Sequence, residues 1–145
     1  MSRRAAILIA FYGLLLVVLG MLVGIPFTDA ITSGGSPELQ RAWRVAHTSL
    51  VTSGLLYMAI AAIAHLAIVG PRTAAFVTRS LVLSAYIIAF AFTVGPAVGA
   101  RGLEPTGPAL HILVFVTLAA ALLATFLAVL VLLWGLFEAL RREPA

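Results

Sequence analysis

The sequence predicts an all-α integral membrane protein, a four-helix bundle. Of its 145 residues 63% are hydrophobic and only 10% are charged, and the mean hydropathy is +1.16. A water-soluble domain this small needs far more polar surface than that. Four apolar stretches, at about 5–27, 42–69, 80–99 and 108–140, are each long enough to cross the ~30 Å hydrocarbon core at ~1.5 Å per helical residue.

The first span follows Arg3 and Arg4, as a signal peptide would, but its apolar run is too long for an h-region and three more spans come after it. The second opens on a polar stretch, Arg41 to Gly54. The third and fourth are bounded by Pro71 and Pro105 in the preceding connections. Those connections, 28–41, 70–79 and 100–107, are rich in turn residues and leave no room for a soluble domain, so 1–145 reads as one membrane unit. Arg3, Arg4, Arg72, Arg79, Arg141 and Arg142 fall on one side of a four-span chain, and Arg41, Arg44 and Arg101 on the other. The positive-inside rule then puts both termini in the cytoplasm. A pI near 10.7 could suggest nucleic acid, yet the arginines sit at helix ends and form no basic stripe, so topology explains them and no nucleic-acid partner is expected.

Composition also restricts the chemistry. All nine basic residues are arginine, there is no cysteine and no asparagine, and the acids are Asp29, Glu38, Glu104, Glu138 and Glu143. Lysine Schiff bases, thiolate nucleophiles, disulfides and Cys-ligated metals are thereby excluded. No glycine-rich phosphate loop, His-Glu-x-x-His motif or pair of intramembrane carboxylates occurs. A proton pump or transporter would place acids within the spans, where only Glu138 is a candidate.

His47 stands about five residues into span two, with Trp43 one turn earlier on the same face. An intramembrane ionisable residue usually faces the bundle interior and marks a functional site; the bland reading is a neutral imidazole bonded to a neighbouring backbone carbonyl. Trp43 reads equally as an interfacial anchor. Thr48, Ser49, Thr52, Ser53 and Gly54, with Gly20-x-x-x-Gly24 and Gly95-x-x-x-Gly99, predict close helix packing and hydrogen bonds across an interface. His111 lies three residues into span four at a depth similar to His47, and two such histidines could ligate haem iron or a divalent metal. His65, about 27 Å along the helix from His47, cannot share one iron with it.

At Trp43-Arg-Val-Ala-His47, followed by small residues and Gly54, the chain resembles the styrene oxide isomerases and the related hydroxylaminobenzene mutases, small four-span bacterial membrane proteins. The likeness includes Arg101-Gly-Leu103 and Gly107-Pro108. It implies a homotrimer in the bacterial inner membrane that binds haem b at subunit interfaces, with His47 as axial ligand to the iron and Trp43 walling the site. It further implies redox-neutral isomerisation of a small lipophilic epoxide to a carbonyl compound, with ferric haem as Lewis acid. Family asparagine and tyrosine positions that hold and open the epoxide read here Ser53, Ile88 and Phe92, leaving Ser53 and Tyr86 as candidate polar contacts.

Three rival readings remain. One is a mutase acting on aryl hydroxylamines. Another is a non-catalytic electron-transfer or sensor protein in which His111 completes bis-histidine ligation. The last is the membrane-associated eicosanoid and glutathione metabolism family, whose span-two Asn and Glu are missing here.

Overall fold

The computed structural model describes residues 1–100 and 104–142. Four helices, α1 (Arg3–Thr32), α2 (Pro37–Ile63), α3 (Pro71–Ala97) and α4 (Ala109–Arg142), account for nearly all of them, and a short 3₁₀ turn (Ala64–Leu66) follows α2. All four helices are long and apolar enough to span a membrane.

Helices α1 and α2 start where their sequences supply a side-chain cap. Ser2 accepts from the Ala5 N–H, and Ser36 from the Leu39 N–H with Pro37 in the first turn. Pro71 opens α3 behind Gly70, nine residues before the expected span, because residues 71–79 form two helical turns that bury Val77 completely. Likewise α1 continues through Thr28 and Thr32, whose hydroxyls bond the carbonyls one turn back, and it buries Ala30. Span two ends sooner than its apolar run. The Ile68 N–H donates to the Gly135 carbonyl of α4 at 3.0 Å, and this bond pins the extended 67–69 link.

The hairpin α1–α2 is antiparallel and held by backbone contact. A Cβ on Gly54 would stand 2.5 Å from the Gly13 carbonyl oxygen, and one on Gly20 would stand 2.7 Å from Val51 Cγ2. Side chains larger than hydrogen would push these helices apart. Gly24 also faces α2, so the Gly20-x-x-x-Gly24 spacing does mark a packing seam. Its counterpart in α3 does not: Gly99 has open space around it and a φ of +70°, so it ends α3 in the left-handed conformation.

The α3–α4 hairpin carries a regular stripe of buried residues on α4, Val114, Leu118, Ala121, Ala128, Leu132 and Gly135. Its outer side, with Leu123, Phe126 and Leu133, is exposed. One large core joins all four helices, while Ala91, Ala100, Val114 and Leu118 form a separate small cluster near the α3–α4 connection. Phe92 packs against both. The N-terminal ammonium reaches the Ala64 carbonyl at 3.5 Å, which gathers the N-terminus, the α2–α3 link and the end of α4 at one end of the bundle.

Hydroxyl groups behave differently from the cross-helix bonding expected. Thr48 and Thr52 donate to the carbonyls of Arg44 and Thr48 within α2. In an apolar medium the nearest acceptor satisfies a hydroxyl most cheaply, and in a helix that is the i−4 carbonyl. Bonds between helices come from elsewhere: Ser84 to the Ala121 carbonyl at 3.0 Å, Tyr57 with Thr125 at 3.2 Å, and Tyr12 with Tyr86 at 2.5 Å.

Candidate functional site

Close approach of α1 and α2 creates the environment of His47. Gly24 has no side chain, so the imidazole lies directly against α1: a Cβ there would stand 3.3 Å from Nδ1. One turn earlier, the Gly20 carbonyl is 2.8 Å from Nδ1. Phe27 lies alongside, its ring centroid 6.2 Å from that of the imidazole and only 26° from parallel.

A carbonyl oxygen only accepts, so Nδ1 carries the hydrogen. In the neutral ring Nε2 then bears the lone pair. Nε2 makes no hydrogen bond among the described residues, and the side chain is half-buried. The bland expectation for His47, a backbone carbonyl partner, is met at one nitrogen. That same bond fixes the tautomer a metal needs at the other, since ligating histidines almost always donate their second N–H to a carbonyl or carboxylate.

Beside Gly24 the outer surface of α1 is an open groove of about 610 Å³ lined by Met21, Gly24, Ile25, Thr28, Asp29 and Thr32. Trp43 lies one turn before His47, half-buried and packed on the main core. No group of three or more histidines, cysteines or acids gathers among the described residues. A single imidazole with a preset tautomer suits a metal that brings its other ligands with it, as a porphyrin does, better than a bare ion that must be caged by protein.

The other predicted residues are placed apart from His47. His111 donates through Nε2 to the Val98 carbonyl at 3.1 Å, so it is held by α3 and the α4 start, whereas His47 is held by α1. His65 is exposed in the 3₁₀ turn at the opposite end of α2. Tyr86 is bound to Tyr12, which precedes Gly20 by about 12 Å of helix rise. Ser53 is half-buried, its hydroxyl unbonded among the described residues, and lies on a different face of α2 from His47. Ile88 is 2% exposed and Phe92 bridges the two cores, so both positions are spent on packing. Residues 101–103, part of the likeness, lie outside the described residues.

A family model for styrene oxide isomerase matches residues 5–137. The chain belongs to the styrene oxide isomerase family. Comparison with curated proteins and with solved structures finds no match. Membership makes this four-span chain a member of an isomerase family, and both Trp43 and His47 lie within the matched residues.

Sequence reasoning missed the inter-helix hydroxyl contacts and the acceptor of His47. The Tyr57 hydroxyl meets Thr125 and lies beside Ser84, a node joining α2, α3 and α4. Ser84 is the one fully buried polar side chain among the described residues. Its signal in the sequence, a lone serine between Leu83 and Ala85, is that of any small residue in a span.

Proposed function

We propose that this protein is a haem b-dependent membrane isomerase that rearranges a small lipophilic epoxide to a carbonyl compound. The observation that carries the reading is the pairing of His47 Nδ1 with the Gly20 carbonyl, which leaves Nε2 free in a member of this family. Bound ferric haem supplies a Lewis acid for the epoxide oxygen, and the rearrangement is redox-neutral.

The chain's own residues supply the rest. His47 holds the iron; Gly20 sets its tautomer; Gly24 admits the ring to the seam; Phe27 and Trp43 flank it with apolar surface. Ser53, whose hydroxyl is unspent, stands where the family places an asparagine and is the first polar contact to the substrate. Tyr86 is a second candidate, at a deeper level. Loss of the family asparagines favours a substrate other than styrene oxide itself.

The groove beside Gly24 is lined by α1 alone, and a disc as wide as haem needs a second wall. We place that wall on a neighbouring copy within a homotrimer, with both termini in the cytoplasm of a bacterial inner membrane. Purification with haem supplementation tests the reading: a Soret band is expected, together with conversion of aryl or alkyl epoxides to aldehydes. A haem-supplemented preparation without a Soret band would rule it out. Aryl hydroxylamines assayed in parallel separate the mutase activity from the epoxide isomerase.

A further inference from the structure

At the end of the bundle that holds the N-terminus, the 67–69 link packs against α4 just before α3 begins. Gly135 receives it: a Cβ there would stand 2.7 Å from Val69 Cγ1, and the Ile68 N–H donates to the Gly135 carbonyl. Beside it an apolar groove of about 610 Å³ runs between α3 and α4. Val69, Leu127 and Val131 line its interior, with Phe76 and the 64%-exposed Trp134 as aromatic walls.

The rim of this groove is cationic. Arg72 lies between the lining residues Gly70 and Thr73, and Arg79 follows Phe76 by one turn on the same stripe of α3. Both are exposed, and neither pairs with an acid among the described residues. The segment from 64 to 80 contains no Asp or Glu at all. Across the groove, the Trp134 and Phe137 ring centroids are 6.0 Å apart with the rings tilted by 46°, and the Arg141 guanidinium lies 5.8 Å from the Phe137 centroid. Glu138 offsets only Arg141, at 3.8 Å. An apolar trough flanked by unpaired guanidiniums has the chemistry of an anionic phospholipid: an acyl chain for the trough and a phosphate for the arginines.

We propose that the groove between α3 and α4 is a binding site for one anionic phospholipid, its phosphate held by Arg72 and Arg79 and one acyl chain lying between Phe76 and Trp134. This site is separate from His47 and independent of the haem reading. Thr73, whose hydroxyl makes no other bond among the described residues, and the free N–H groups of the first turn of α3 add donors at the phosphate level.

Native mass spectrometry of the full chain released from detergent, titrated with phosphatidylglycerol and with phosphatidylcholine of the same chains, tests the proposal. At least a tenfold preference for phosphatidylglycerol is expected in the first bound lipid. Arg72→Gln/Arg79→Gln should reduce that preference to below twofold while leaving phosphatidylcholine binding unchanged. Leu127→Trp, which keeps both arginines and fills the trough, should abolish the first lipid adduct, and it decides the matter if the double variant does not fold. Equal binding of the two lipids by the wild type, or an undiminished preference in either variant, overturns the proposal. So does a change of oligomer mass in Leu127→Trp with lipid binding intact, which would make the groove a contact between copies.

Discussion

His47 and the Gly20 carbonyl meet at 2.8 Å across the seam between α1 and α2, a bond between residues 27 apart in the chain. It orients an imidazole inside a membrane span without using a second ionisable group, so no charge has to be desolvated to hold the proposed ligand.

Replacing His47 by Ala removes the proposed ligand and little else, because the side chain is half-buried and makes one hydrogen bond. The variant is expected to keep its helical circular dichroism and lose the Soret band. Millimolar imidazole should restore part of the band by entering the space beside Gly24. Full haem content in His47→Ala would reject the assignment.

Glycine substitutions should separate hairpin stability from ligand placement. A Cβ at Gly54 runs into backbone, the Gly13 carbonyl at 2.5 Å, and cannot be relieved by a rotamer change. Gly54→Ala is expected to destabilise the protein by about 1–3 kcal/mol in reversible detergent unfolding. At Gly24 the Cβ meets only the imidazole, at 3.3 Å. Gly24→Ala should cost less stability but shift the Soret maximum and weaken haem affinity by roughly tenfold, the low end for disturbing the support of a metal ligand.

The Tyr12–Tyr86 pair predicts a modest effect. Their rings meet edge-on at 5.1 Å and their hydroxyls are hydrogen-bonded. Intramembrane hydrogen bonds average about 0.6 kcal/mol in double-mutant cycles, and Tyr12→Phe with Tyr86→Phe should give a coupling energy of that size. Because Tyr12 is about 12 Å from the level of Gly20, haem content should stay unchanged in Tyr86→Phe. A drop in epoxide turnover beyond tenfold at constant haem content would show that this hydroxyl touches the substrate after all.

Ser53 offers the complementary case. Its hydroxyl forms no bond among the described residues, so Ser53→Ala should change stability by less than about 0.5 kcal/mol. If the side chain contacts the epoxide, as proposed, turnover falls by about tenfold while the Soret band is unaltered. Steady-state kinetics on haem-matched samples measures this, and unchanged turnover removes Ser53 from the site.

Much of the architecture was legible because the bilayer imposes a coarse rule on composition. Four long apolar runs dictated four helices, and His47 stood out as an imidazole where lipid-facing residues belong. Helix limits were less legible. Residues 71–79 look like a loop by charge, yet Pro71 is a favourable first helical residue and Val77 has a core to enter. The acceptor of His47 had no sequence signature, since every residue carries a carbonyl; only the two glycines hinted that α1 could approach so closely. Pairs such as Tyr12 with Tyr86 depend on how two hairpins are rotated against each other, which the pattern of one helix does not encode. The hydroxyl-rich start of α2 misled for a local reason: its threonines found acceptors in their own helix.

The glycine seam also bears on biosynthesis. Gly13, Gly20, Gly24, Phe27, His47 and Gly54 all belong to the first two spans, and the hydrogen bond that orients the imidazole closes within them. A nascent chain that has inserted only α1 and α2 therefore already contains every contact described around His47, while α3 and α4 are still being translated. Cut at the 67–69 link, the protein would keep His47 and the carbonyl that orients it together on the first fragment.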